Sequence, residues 1–134
     1  VVKMMDLRTQ SGQVIADNFV RKATIVNVVD GDTFDARVDL GFDVSITERF
    51  NLSRVSTFGI RRVSTTVTED HLKLGFEAKS FVRQKLRNKE VLIHSVKRDG
   101  FRRWLAEVYY EENGQLVSLA DELIKNGLTT TDTE

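Results

Sequence analysis

The spacing of hydrophobic and polar residues changes several times along the chain, and each change marks an element. From Lys22, "KATIVNVVDGDTFDARVDLG" is two β-type runs around an Asp-Gly turn, which predicts a hairpin. Gly41-Phe42-Asp43 makes the next turn. Val44, Ile46, Phe50 and Leu52 then alternate with Ser45, Thr47, Arg49, Asn51 and Ser53, the period-two pattern of a third strand. Residues 56–70 carry no clear period and are expected to form a long loop, a feature often functional in a compact domain. In "GFEAKSFVRQKLRNKE" the period becomes helical, with Ala78, Phe81, Val82 and Leu86 on one face. "VLIHSVKRDG" and "RRWLAEVYYEENGQ" predict two further strands separated by Asp99-Gly100. Ser118 opens a second helix in capping-box style and Gly127 stops it.

The order β-β-β-loop-α-β-β-α predicts an α+β, mainly β fold. A small closed barrel of five strands, of the oligonucleotide/oligosaccharide-binding (OB) type, with two or three helices, suits it. Residues 1–20 are polar and weakly patterned. They read as an N-terminal arm, with a short strand near Val14–Ile15, before a domain over residues 21–134. The final "TTTDTE" is expected to fray.

Composition narrows the function classes. The 134 residues suit one domain with a real core. Hydrophobic content of 40% and charged content of 30% are those of an ordinary globular chain. No apolar run is long enough to span a bilayer, and the first residues lack a signal-peptide pattern. An intracellular, cytoplasmic location is therefore expected. With no cysteine there is no disulfide framework, thiolate metal site or thiol nucleophile. Twenty acidic residues balance twenty basic ones, so the chain does not coat nucleic acid through overall charge, although a local basic patch stays open.

Four segments in order resemble the staphylococcal (thermo)nuclease family: "ATIVNVVDGDTF", "ERFNLSRVSTFGIR", "GFEAKSFVRQKL" and "DGFRRWLAEVYYEENGQLVSLADELIKNGL". The resemblance covers residues 22–130 and implies cleavage of DNA or RNA with one calcium ion. In the family two arginines clamp the phosphate and a glutamate activates the water, chemistry suited to those groups. Carried over by position, Asp32 and Asp30 match the aspartates of the metal turn. Thr57 matches the threonine whose carbonyl completes the metal site, and Arg103 matches one phosphate arginine. The other positions depart. The first phosphate arginine falls on Asn51, the second metal aspartate on Ser56, the proline on Phe58 and the general-base glutamate on Gly59. Loss of a general base or a phosphate clamp commonly costs roughly 10²- to 10⁴-fold each.

The residues thus read as a nuclease fold with a dismantled site, acting as a nucleic-acid- or protein-binding or assembly module. Single-stranded DNA or RNA, or another protein, is the expected partner. No cofactor is required on this reading, and calcium is the one the resemblance implies. The rival reading is an active calcium-dependent endonuclease with an altered site, using Asp35, Asp39 or Glu77 as base. A third is a structural component that never meets nucleic acid. Asp30 and Asp32 read either as metal remnants or as turn-forming side chains. Arg103 reads either as a phosphate contact or as an ion-paired or solvated residue. Arg54, Arg61, Arg62, Arg102 and Arg103 with Phe101, joined by Lys97, Arg98 and Phe58, could form a basic groove with stacking surfaces for a single strand. A solvated loop surface is the alternative.

Overall fold

The hairpin predicted at the Asp-Gly turn is formed by β1 (Val20–Asp30) and β2 (Thr33–Gly41), with Asp30 opposite Thr33 across Gly31-Asp32. The computed structural model describes residues 10–11, 19–60, 68–98, 100 and 103–130. The expected strand at Val14–Ile15, together with Arg61, Arg62, Phe101 and Arg102, lies outside them.

β3 (Val44–Leu52) returns along β2 after a turn in which Gly41, Phe42 and Asp43 all have positive φ. β4 (Glu90–Arg98) pairs with β1, and β5 (Trp104–Glu112) pairs with β4. A parallel pairing of Phe50, Asn51 and Leu52 with Trp104, Leu105 and Ala106 then joins β3 to β5 and closes a five-stranded barrel. Closure removes most free strand edges and gives the expected OB-type α+β fold.

Two elements differ from expectation. A short β6 (Gln115–Ser118) pairs back on β5, where the sequence reading ran a single strand through "EENGQ". Asn113 and Gly114 have φ of 54° and 79°, so both take the left-handed backbone that a two-residue hairpin needs. The first helix, α1 (Glu69–Leu86), starts six residues before the expected Gly75. Thr68 caps it, its hydroxyl accepting from the His71 N–H at 3.1 Å, and Glu69 and Asp70 complement the positive helix end. Capping chemistry, not hydrophobic period, sets that boundary. α2 (Leu119–Lys125) begins at the expected Ser118 cap.

The core fills the barrel and the space under the helices. Phe34, Ile25, Leu86, Leu119, Leu123, Val82 and Val108 are its largest fully buried side chains. α1 contributes Gly75, Ala78, Val82 and Leu86, and Phe81 packs at the margin.

Tyr110 is buried, and its hydroxyl has no hydrogen-bond partner among the described residues. Burial, then Glu112 and Glu122, pushes its pKa up to about 12. A phenol in the unfolded chain ionises near pH 10. The stability tied to the neutral phenol is therefore complete below pH 10 and is lost as pH rises towards 12. Tyr110→Phe is expected to be nearly neutral at pH 7, because no hydrogen bond is lost. Above pH 10 the variant should be more stable than the parent, as urea unfolding at pH 7 and at several alkaline pH values would show.

Candidate functional site at the barrel rim

The residues singled out by the turn motif meet where the β1–β2 turn, the end of β3, the 53–60 loop and the first half of α1 converge. Asp32 is half-buried. Its carbonyl accepts the Leu52 N–H at 2.9 Å, which ties the turn to the end of β3. Oδ2 accepts the Thr57 N–H at 3.2 Å. The Thr33 hydroxyl lies 3.0 Å from both Asp32 Oδ1 and Asn51 Oδ1, and so bridges the carboxylate to β3. The register dictates this, since Thr33 is directly opposite Asn51. Each Asp32 carboxylate oxygen thus has one polar contact within the chain, Oδ1 sharing the single Thr33 hydroxyl proton with Asn51 Oδ1.

The loop carrying Ser56, Thr57, Phe58 and Gly59 is fastened from several sides. The Ser53 N–H donates to the Ala106 carbonyl at 3.0 Å, and the Thr130 N–H donates to the Ser56 carbonyl at 2.9 Å. Val55 is buried. Phe58 stacks on His71 of α1, with centroids 4.3 Å apart. Two glycines permit the close approach. A Cβ on Gly75 would lie 2.2 Å from the Gly59 carbonyl oxygen and 2.7 Å from that of Phe58. A Cβ on Gly31 would lie 2.6 Å from Ala78 Cβ. The buried Thr57 hydroxyl has no hydrogen-bond partner among the described residues.

The donor set does not fit a calcium site. Calcium takes six to eight oxygens, usually from several carboxylates. Among the described residues no three His, Cys, Asp or Glu side chains converge. Ser56 and Gly59 offer no carboxylate, so the loop supplies Asp32 with no second acidic ligand. No chemical step through a bound metal follows from these residues.

The other candidates are distributed. Arg54 is exposed but ion-paired. Its guanidinium is paired with Glu107 and with Asp121 at 2.9 Å, and it donates to the Ser118 hydroxyl at 3.0 Å, so the hydrogen bonds raise its pKa. Arg98 lies 4.2 Å over the Trp104 ring and 3.6 Å from Glu48. Arg103 is exposed just before β5. Of the acids that could stand in as base, Asp35 accepts from Arg49 at 2.8 and 3.2 Å and from Asn27 at 3.3 Å. The Arg49 hydrogen bond holds its carboxyl below the usual carboxylate range. Asp39 accepts the Gly41 N–H at 2.8 Å, within its own turn. Glu77 is exposed on α1. Sequence reasoning missed the His71 stack and the spatial role of Gly75. The signal for Gly75 was a glycine in line with the apolar face of a helix.

The family model of staphylococcal nuclease homologues matches residues 50–133. The chain belongs to the staphylococcal nuclease homologue family. The match begins at Phe50 and takes in the 53–60 loop, α1, β4, β5 and α2. An uncharacterized protein of Methanocaldococcus jannaschii is 30% identical over 117 residues, which cover 77% of this chain and 55% of that protein. The chain therefore spans about half the length of the curated relative it matches. No helix among the described residues is long and apolar enough to cross a membrane.

Proposed function

We propose that this chain is a nuclease-fold domain that does not cleave phosphodiesters and works as a binding or assembly module for nucleic acid or protein. The observation that carries the reading is the rim itself. Gly59 places no side chain where the family's general base would stand, and the Asn51 amide contacts the Thr33 hydroxyl where a phosphate-clamping arginine would reach out. Asp32, the residue most suggestive of a metal, closes hydrogen bonds to the turn and the loop. The fold is retained because these same contacts hold the barrel rim together, and fold alone does not fix activity.

The test is hydrolysis of single-stranded DNA and RNA with millimolar calcium and with chelator, beside Asp32→Ala. No cleavage is expected under either condition. Asp32→Ala should instead lower stability, because the half-buried Thr57 N–H loses its acceptor, a loss worth about 1–3 kcal/mol. Calcium-dependent cleavage abolished by Asp32→Ala, with little change in melting temperature, would overturn the reading and favour an altered active site.

A further inference from the structure

The flank of α1 beside β1 carries a row of cations. Lys79, Arg83 and the C-cap residue Arg87 stand four residues apart, so they share one side of the helix. With Asn27 and Val28 of β1 they line a pocket of about 90 Å³. Lys79 is half-buried, and Arg83, Arg87 and Asn27 are exposed. Val28 is buried, so the accessible lining is polar. Among the described residues none of the three cationic side chains is ion-paired. Lys85, on another side of the same helix, is paired with Glu112 at 2.8 Å.

Backbone hydrogen bonds hold this row against the strand. Asn88, with φ of 63°, donates its N–H to the Ile25 carbonyl at 2.7 Å, and the Ile25 N–H donates to the Lys89 carbonyl at 3.2 Å. They tie the end of α1 to β1 where its register on β2 slips, between Ile25 and Asn27. Such a bulge re-aims the side chains beside it. Asn27 uses one amide N–H on Asp35 at 3.3 Å and keeps the other. The Asp35 charge is offset by Arg49, which donates to both of its oxygens.

We propose that this pocket and its row of cations bind successive phosphates of a nucleic-acid strand. Three cations without a carboxylate partner, gathered at one small polar pocket, attract an anion, and the planar arginine fork suits phosphate oxygens. The spacing favours a strand over a single phosphate. Four residues climb a helix by about 6 Å, so the row extends over about 12 Å. Each step is close to the separation of successive phosphates along a strand. The lining favours a strand over an acidic polypeptide. A protein contact is anchored by aromatic or aliphatic side chains in an apolar centre, which this pocket does not offer, whereas phosphate contacts need none. The site shares no residue with the rim around Asp32 and Thr57. The inference rests on the reading of the chain as a binding module and names the partner.

The test is fluorescence anisotropy of a labelled oligothymidylate with the full chain, in chelator, from about 25 to 200 mM salt. Three contacts to a single strand give a log–log salt slope of about −2 and a Kd on the order of 10–100 μM near physiological salt. Lys79→Gln, Arg83→Gln and Arg87→Gln should each weaken binding several-fold and make the slope shallower by about 0.7. Lys85→Gln makes the same change in net charge on another side of the helix and should leave both quantities unchanged. Glutamine keeps helix propensity, and matching thermal melts would show that the variants are folded. No binding by the parent overturns the proposal and leaves a non-cleaving module whose partner is a protein. Binding weakened as much by Lys85→Gln as by Arg83→Gln also overturns it, because overall charge alone is then at work. So does poly-glutamate bound as tightly and lost with the same substitutions, which makes the partner an acidic polypeptide. Strand cleavage is judged separately, with calcium present, so failure of the non-cleaving reading is distinct from failure of this site.

Discussion

Replacing Phe34 with alanine is expected to remove about 4 kcal/mol of stability. Phe34 is among the largest fully buried side chains, at 1% exposure. It stacks on Phe50, with centroids 5.8 Å apart, and joins β2 to β3 directly across the register. Removing the ring forfeits its transfer free energy and leaves a cavity that closed strands on either side cannot readily fill. A domain of this size has a total stability of about 5–15 kcal/mol, so the variant should sit near the edge of folding at 37 °C. Urea unfolding followed by circular dichroism measures it. A loss under about 1 kcal/mol would mean that the barrel collapses around the gap.

Gly75→Ala is expected to cost about 2–3 kcal/mol and to lower the melting temperature by about 10 °C. Intrinsic helix propensity predicts the opposite sign, since alanine in a helix interior is better than glycine by about 1 kcal/mol. The close approach decides. The new methyl group would stand 2.2 Å from the Gly59 carbonyl oxygen, a backbone atom that no rotamer change can move. The helix or the loop must shift, and that shift disturbs the Phe58–His71 stack and the Thr57–Asp32 hydrogen bond. Gly59→Ala is the control: nothing lies within 4 Å of its Cβ position, so that variant should unfold within about 0.5 kcal/mol of the parent. A stabilised Gly75→Ala would show that the loop yields easily and that helix propensity wins.

The two substitutions separate what holds the barrel from what holds the rim. Phe34 belongs to the core shared by the strands. Gly75 belongs to the contact that keeps the 53–60 loop in place, although the side chains on that loop supply neither a carboxylate at position 56 nor a base at position 59. The loop's packing contributes to stability, because its backbone hydrogen bonds close the end of β3 and anchor Thr130.

The sequence alone determined the elements whose signals are local. The Asp-Gly turn, the period-two run through Phe50 and Leu52, the helical spacing of Ala78, Val82 and Leu86 and the Ser118 cap each depend on neighbours a few residues away. The Thr68 cap and the Asn113-Gly114 turn carried equally local signals, in capping and turn chemistry that hydrophobic period does not register. That Asn51, Ser56 and Gly59 stand where the resemblance puts an arginine, an aspartate and a glutamate was also legible, because residue identity needs no coordinates to be seen. Tertiary structure decided the rest. Val44 and Ile46 continue the alternation of Phe50 and Leu52, yet they are exposed, because the β2–β3 hairpin outruns the barrel that buries its other end. Arg54 is drawn to Glu107 and Asp121, more than fifty positions away in the chain. Whether Asp32 is free to bind an ion or is tied down by Thr33 and Thr57 depends on how a turn and a distant loop meet, and that geometry exists only once the barrel has closed.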